Sequence, residues 1–148
     1  MGTARSAREQ YERGRTLRQA NMYDQALEAL QPVTNDPYCG GQARTQLGLC
    51  LRAMGRHEEA VTALRQALQS TSLSQGEYNH VLYYVGECLE SLGRPAEAIE
   101  AYNWVRLEDP GFLDVESKIK NLCGEQPSLL TLGLIQFGRS FIGKLARS

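Results

Sequence analysis

The chain has 148 residues, 42% of them hydrophobic, and only five prolines, which is typical of one globular domain and excludes a disordered chain. Its formal net charge of −1 disfavours a nucleic-acid binder that relies on bulk positive charge. The four cysteines and two histidines form no close ligand pairs, and no nucleophile or phosphate-loop motif is present, so we expect no metal, no cofactor and no enzymatic activity.

The first predicted helix pair covers residues 7–40. Ser6 and Glu9 have the spacing of a capping box, which predicts that a helix begins directly after Ser6. Pro32 removes a backbone donor late in the second helix of this pair, so we expect that helix to kink or end there.

The second predicted pair covers residues 41–74, with Leu47, Leu51 and Leu64 on its facing sides. Four extra residues separate it from the third pair. Ser74, directly before them, and Glu77 again have capping-box spacing, which predicts an early start for the next helix.

The third predicted pair covers residues 79–112. Leu82, Val85 and Leu89 share one helical face, Gly93 is placed to end the helix in a left-handed conformation, and Pro95 suits the first turn of the next helix. Gly86 is small, we infer, because the two helices cross closely there, so a larger side chain would overpack the contact.

A small-residue pattern recurs through all three pairs. Gly14, Gly48 and Gly86 lie 34 and 38 residues apart, and each is followed twelve residues later by an alanine. A period of this size indicates a helical repeat architecture.

With these positions, residues 7–112 resemble three tetratricopeptide repeats. Residues 79–112 match nearly every position of the family pattern, residues 41–74 have Ser72 where proline is usual, and residues 7–40 have Arg13 in place of a core leucine. The resemblance implies an all-α fold, a right-handed solenoid of helical hairpins within residues 1–124, closed by a capping helix at about 112–123. Cys50 and Cys88 occupy the same repeat position, where a small buried residue is usual, and we interpret them as packing residues.

The resemblance also implies that the first helix of each pair lines a concave groove. We expect this groove to be basic at its N-terminal end and acidic at its C-terminal end, with Tyr11 and Tyr83 exposed in it as binding anchors; the alternative is an ordinary solvated helix surface. The predicted groove residues are Arg8, Tyr11, Arg15, Arg18, Thr45, Leu49, Arg52, His80, Tyr83, Glu87 and Glu90, together with Gln19 and Gln42.

One subclass of the family holds the C-terminal carboxylate of heat-shock chaperones in a clamp of lysine, asparagine and arginine side chains. None of the corresponding residues here is identical to its clamp counterpart, so that ligand is not predicted; they are Tyr11, Arg15, Gln46, His80 and Tyr84.

Residues 125–148 are not explained by the repeat. They hold three cations and no acidic residue beyond Glu125, and an amphipathic cationic helix is predicted at residues 128–146. Three roles remain open for it: a final cap on the chain's own helices, a helix docked on a partner or second copy, or an anchor on an anionic membrane surface. Its predicted apolar face consists of Leu130, Leu134, Phe137, Phe141 and Leu145.

Together these observations predict a non-enzymatic protein–protein interaction module, a scaffold or adaptor that binds a partner peptide or helix in the groove, through the C-terminal helix, or both. The alternatives are a peripheral membrane adaptor anchored by residues 128–146 and a client-holding chaperone similar to those of secretion systems. No nucleic-acid partner is expected. Since no signal-peptide pattern opens the chain, we expect a cytoplasmic protein, peripheral to a membrane only if the tail anchors it.

Overall fold

A computed structural model of the protein describes residues 5–125. This part of the chain is all-α, as predicted, with no β-strand among the described residues. None of the helices found between residues 5 and 125 has the length and apolar character needed to cross a membrane. The helices are α1 (Ala7–Gln19), α2 (Tyr23–Leu30), α3 (Gly40–Ala53), α4 (His57–Leu68), α5 (Gln75–Ser91), α6 (Pro95–Glu108) and α7 (Val115–Glu125), with a 3₁₀ turn (Gln31–Val33) after α2.

Each helix packs mainly on its neighbours in the chain, so α1–α2, α3–α4 and α5–α6 form three pairs and α7 packs on α6. The buried side chains form two clusters. One lies in the first pair and α3, and the other extends from α3 and α4 to α7. Leu27 and Ala63 contact both clusters, so they join the first pair to the rest of the core.

The close approach of paired helices predicted at Gly86 is confirmed, and it recurs at Gly14 and Gly48. A Cβ on Gly48 would lie 2.6 Å from Cγ of Leu64, and one on Gly14 or Gly86 would overlap the side chain of Leu30 or Tyr102. In each pair the obstructing residue lies sixteen positions after the glycine. The glycine is therefore needed because a large side chain of the second helix fills the space that its own Cβ would take.

The turn inside each pair has one conformation, repeated three times. Asn21, Gly55 and Gly93 occupy equivalent positions with φ of 60°, 77° and 69°, which confirms the left-handed helix end predicted at Gly93. The next residue in each turn donates its N–H to a carbonyl five residues earlier, from Met22 to Leu17, Arg56 to Leu51 and Arg94 to Leu89, each at 2.9 Å. Asparagine can replace glycine at the first turn because its short polar side chain tolerates this region.

The predicted helix boundaries are confirmed at both capping boxes and at Pro32. Ser6 and Ser74 each accept a hydrogen bond from the backbone of the glutamate three residues on, whose side chain bonds back to the cap. Helix α2 ends at Leu30 and the chain continues as a 3₁₀ turn through Pro32. As a result α2 has only eight residues, whereas α4 has twelve and α6 fourteen.

The seventh helix lies slightly later than the predicted capping helix at 112–123. Phe112 donates its N–H to the carbonyl of Asp109, and Leu113 has a φ of 45°, so these residues form a turn. Helix α7 consequently begins at Val115, and its Val115, Ile119 and Cys123 side chains are buried in the larger cluster.

Cys50 and Cys88 are completely buried, in agreement with their interpretation as packing residues. Burial raises the pKa of each thiol to about 11. Both therefore remain protonated and shielded at neutral pH, which is the condition of an unreactive cysteine.

Two glycines of α5 provide a matched test of the close-approach constraint. Gly86→Ala should lower the free energy of unfolding by about 1–3 kcal/mol, because the new methyl group overlaps the ring of Tyr102. Gly76→Ala should leave it unchanged or raise it, since nothing lies within 4 Å of a Cβ there and alanine favours the helix. Chemical denaturation of both variants measures the difference, and equal effects would contradict the constraint.

Candidate functional site

Helices α1, α3 and α5 border a cleft of about 200 Å³, which we call the first-helix cleft. Each helix contributes one face, as the helical spacing of residues 42, 45, 46 and 49 or 77, 80 and 84 requires. Leu73, in the segment between α4 and α5, completes it. The lining residues are Tyr11, Arg18, Gln42, Thr45, Gln46, Leu49, Leu73, Glu77, His80 and Tyr84.

Five residues of the predicted binding set line this cleft, as does Gln42 from the wider predicted groove; the five are Tyr11, Arg18, Thr45, Leu49 and His80. They come from three helices that are far apart in sequence, so the fold has brought them together. Partial burial raises the pKa of the Tyr11 phenol, which therefore remains a neutral hydrogen-bonding group.

The polar side chains of the cleft are held by contacts with neighbouring helices and turns. Arg18 donates from Nε to Oε1 of Gln46. Gln42 donates from Nε2 to the carbonyl oxygen of Ser72 at 2.7 Å and accepts the Ser72 hydroxyl at 2.9 Å. These contacts fix the orientation of the side chains before any ligand arrives, which lowers the entropy cost of binding.

Arg8 and Arg15 do not reach the cleft lining. Both guanidinium groups pair along α1 with Glu12, at 3.3 Å and 3.0 Å. These are exposed ion pairs between neighbouring turns of one helix, and such pairs contribute little to stability. The predicted basic character of the N-terminal end is therefore partly offset by this carboxylate.

The expectation that Tyr83 is exposed is wrong. Its side chain is only 6% exposed, and its hydroxyl donates a hydrogen bond to Oδ1 of Asp114. Burial, together with this bond to a carboxylate, raises the pKa of the phenol. The segment before α7 causes the difference, because Asp114 and the ring of Phe112 lie over Tyr83.

The acidic end predicted at Glu87 and Glu90 is largely neutralised by cations. Arg52 pairs with Glu87 at 3.0 Å, and Nζ of Lys118 lies 3.8 Å from Glu87 and 3.3 Å from Glu90. The hydroxyl of Tyr102 also donates to Glu90. These carboxylates thus hold α7 against α5 and do not line the cleft.

Besides Gln42, four lining residues fall outside the predicted binding set. The sequence could have indicated Gln46 and Tyr84 as binding residues, because they correspond to ligand-binding clamp positions of the family. Leu73 lies in the irregular segment between α4 and α5, where helical spacing does not predict the direction of a side chain. Glu77 is interpreted from the sequence only as a capping residue of α5. Its Oε2 also lies 3.4 Å from Nε2 of Gln42, which places it in the cleft lining.

The predicted C-terminal face at Leu130, Leu134, Phe137, Phe141 and Leu145 lies outside the described residues. Between residues 5 and 125, no group of three or more histidine, cysteine and acidic side chains is placed to hold a metal ion.

Fold and cleft together define a helical-repeat protein, built from helix pairs that share one close approach and one turn conformation. A family model described as tetratricopeptide repeat matches residues 41–106, which span α3 to most of α6. This match assigns residues 41–106, the second helix pair and most of the third, to the tetratricopeptide repeat family. Repeats of this family generally mediate protein–protein interactions and are typically not catalytic. A search of curated proteins gives no match to the chain.

The contact between Tyr83 and Asp114 can be tested with a neighbouring tyrosine as control. Tyr83→Phe should cost about 1 kcal/mol of unfolding free energy, because it removes a hydrogen bond that ties the start of α7 to α5. Tyr84→Phe should have a smaller effect, since its ring is packed but no hydrogen bond of its hydroxyl is found within residues 5–125. Equal losses in chemical denaturation would show that the hydroxyl of Tyr83 contributes nothing.

Proposed function

We propose that the chain is a non-enzymatic scaffold or adaptor module that binds a segment of a partner protein in the first-helix cleft. The observation that carries this proposal is the convergence of α1, α3 and α5 on one cleft that has both apolar and polar walls. Tyr11, Leu49, Leu73 and Tyr84 offer apolar surface, and Gln42, Gln46 and His80 offer hydrogen-bonding groups.

The size of the cleft favours a protein ligand. At about 200 Å³ it lies below the roughly 300–1,000 Å³ of pockets that enclose a whole small molecule. A cleft of this size fits one or two side chains of a longer segment, whose backbone would then contact the polar rim. Tyrosine is among the residues that most often anchor such interfaces.

A triple substitution tests the cleft directly. Tyr11→Ala, Gln46→Ala and Tyr84→Ala together should remove most of the proteins that the full chain retains in affinity purification, because they delete the apolar walls and the central amide. Quantitative mass spectrometry of the retained proteins is the measurement.

The matched control is Gln25→Ala with Tyr38→Ala, which removes a glutamine and a highly exposed tyrosine away from the cleft. Thermal unfolding checks that both variants remain folded. If a folded triple variant retains the same proteins as the unmodified chain, the cleft is not the binding site.

We propose as the second candidate function a peripheral membrane adaptor, favoured by the apolar spacing of residues 128–146, the two cations within them and Arg147 directly after them. The full chain should float with vesicles that contain anionic lipid and should not float with neutral vesicles. A chain ending at Gly124 should float with neither. Equal flotation of the two chains would exclude this role.

A further inference from the structure

A second and larger depression lies away from the first-helix cleft, between the second helices of the first two pairs. Its volume is about 520 Å³, and we call it the second-helix groove. One wall is the face of α4 that carries Glu59, Thr62, Ala63 and Gln66. These positions have the i, i+3, i+4, i+7 spacing of a single helical stripe, so the whole stripe faces one side.

The groove exists because the helix across from α4 is short. Pro32 ends α2 after eight residues, and the chain continues along the rim as the 3₁₀ turn and the segment at Thr34 and Asn35. The corresponding interface between α4 and α6 is bridged instead, by Arg65 with Glu97 at 3.5 Å and Arg94 with Glu58 at 3.7 Å. One of two equivalent interfaces is thus open and the other closed.

The floor of the groove is apolar and comes mainly from α3. Leu47 and Leu51 lie on it with only 7% and 8% of their surface exposed, and Leu27 of α2 extends it. Around this floor the rim carries amides and hydroxyls, including Gln31, Asn35 and Gln66. An amide side chain both donates and accepts, which suits the N–H and C=O groups of a peptide backbone.

Arg44 supplies a positive charge to the groove that no carboxylate of the described residues pairs with. Its Nη2 donates to Oδ1 of Asn35 at 2.7 Å, its buried Nε has no acceptor, and no carboxylate of residues 5–125 pairs with it. The other cation, Arg56, is neutralised by two hydrogen bonds to Glu59, at 2.8 Å and 2.6 Å. The groove therefore combines an apolar floor with one guanidinium group that forms no ion pair with any carboxylate of the described residues.

The surface continues beyond Arg44. Thr34, Asn35 and Arg44 also line an adjacent hollow of about 380 Å³, which reaches Ser70 and Thr71 after α4. The carboxylate of Asp36 in that hollow accepts the N–H groups of Tyr38 and Cys39 through Oδ1, at 2.9 Å and 3.0 Å, so this oxygen is already hydrogen-bonded to the backbone. Two depressions that share Thr34, Asn35 and Arg44 fit an extended chain better than a compact ligand.

We propose that the second-helix groove binds an acidic peptide segment of a partner protein, with an apolar side chain over Leu47 and Leu51 and a carboxylate on Arg44. The proposal concerns a site separate from the first-helix cleft, and it holds or fails independently of the function proposed for that cleft. Charge complementarity selects the acidic ligand, since pairing of a guanidinium with a carboxylate gives strong, directional hydrogen bonds.

The probe is a nonapeptide library displayed on phage and selected against the full chain. Selected peptides are then synthesised with a fluorophore, and their affinities are measured by polarisation. We expect peptides that contain leucine or isoleucine together with aspartate or glutamate. Changing their acidic residues to the amides should weaken binding about tenfold, and 1 M salt should do the same.

Variants of the protein locate the binding site. Arg44→Gln should weaken the selected peptides about tenfold, whereas Arg13→Gln, which removes an equal charge from an exposed position of α1, should not. Gln66→Trp should block the groove without changing its charge, and Gln25→Trp on α2 is the matched control. All four positions lie outside the first-helix cleft, and thermal unfolding confirms that each variant is folded.

Loss of binding in Arg44→Gln and Gln66→Trp, with binding kept in both controls, supports the proposal. The proposal is overturned if no acidic peptide is selected, if Arg44→Gln and Arg13→Gln behave alike, or if only the first-helix cleft variant loses the peptides. Concentration-dependent dimerisation that is abolished by Gln66→Trp would also overturn it, because a second copy would then be the occupant.

Discussion

The structure depends on one steric constraint, the contact between a glycine in the first helix of each pair and a large side chain sixteen residues later. Leu30, Leu64 and Tyr102 fill the space where a Cβ would lie, and all three are completely buried. The alanines at 26, 60 and 98 are buried beside them. An extra methyl group between close-packed helices lowers the stability of the fold. This contact therefore fixes how near the two helices of a pair can lie.

The turn conformation shared by the three pairs repeats the same helix arrangement along the chain. Asn21, Gly55 and Gly93 reverse the chain in the same left-handed conformation, so each second helix leaves the turn in a similar direction. The first helices then converge on a common cleft. Where one second helix is shortened, at Pro32, the same arrangement leaves a groove on the other side of α3. The first-helix cleft therefore follows from the repeat, and the second-helix groove follows from the short α2.

Helix α7 determines how far the first-helix cleft extends. Lys118 pairs with Glu87 and Glu90, and Asp114 accepts the hydroxyl of Tyr83, so the third pair uses these groups for internal contacts. The cleft ends at His80 and Tyr84. Partner recognition, in our proposal, thus falls to the first two pairs and the N-terminal half of α5.

The sequence by itself determined the helix pairs, their caps, the turn at Gly93 and the end of α2, because glycine, proline and capping boxes act on the backbone within a few residues. It also placed Tyr11, Arg18, Thr45, Leu49 and His80 on the faces that line the cleft. Only the tertiary structure decided that Tyr83 is buried, that Glu87 and Glu90 are neutralised, and that Leu73 joins the cleft. The physical reason is that burial and charge pairing depend on groups brought from elsewhere in the chain, here Phe112, Asp114 and Lys118, which repeat spacing does not encode.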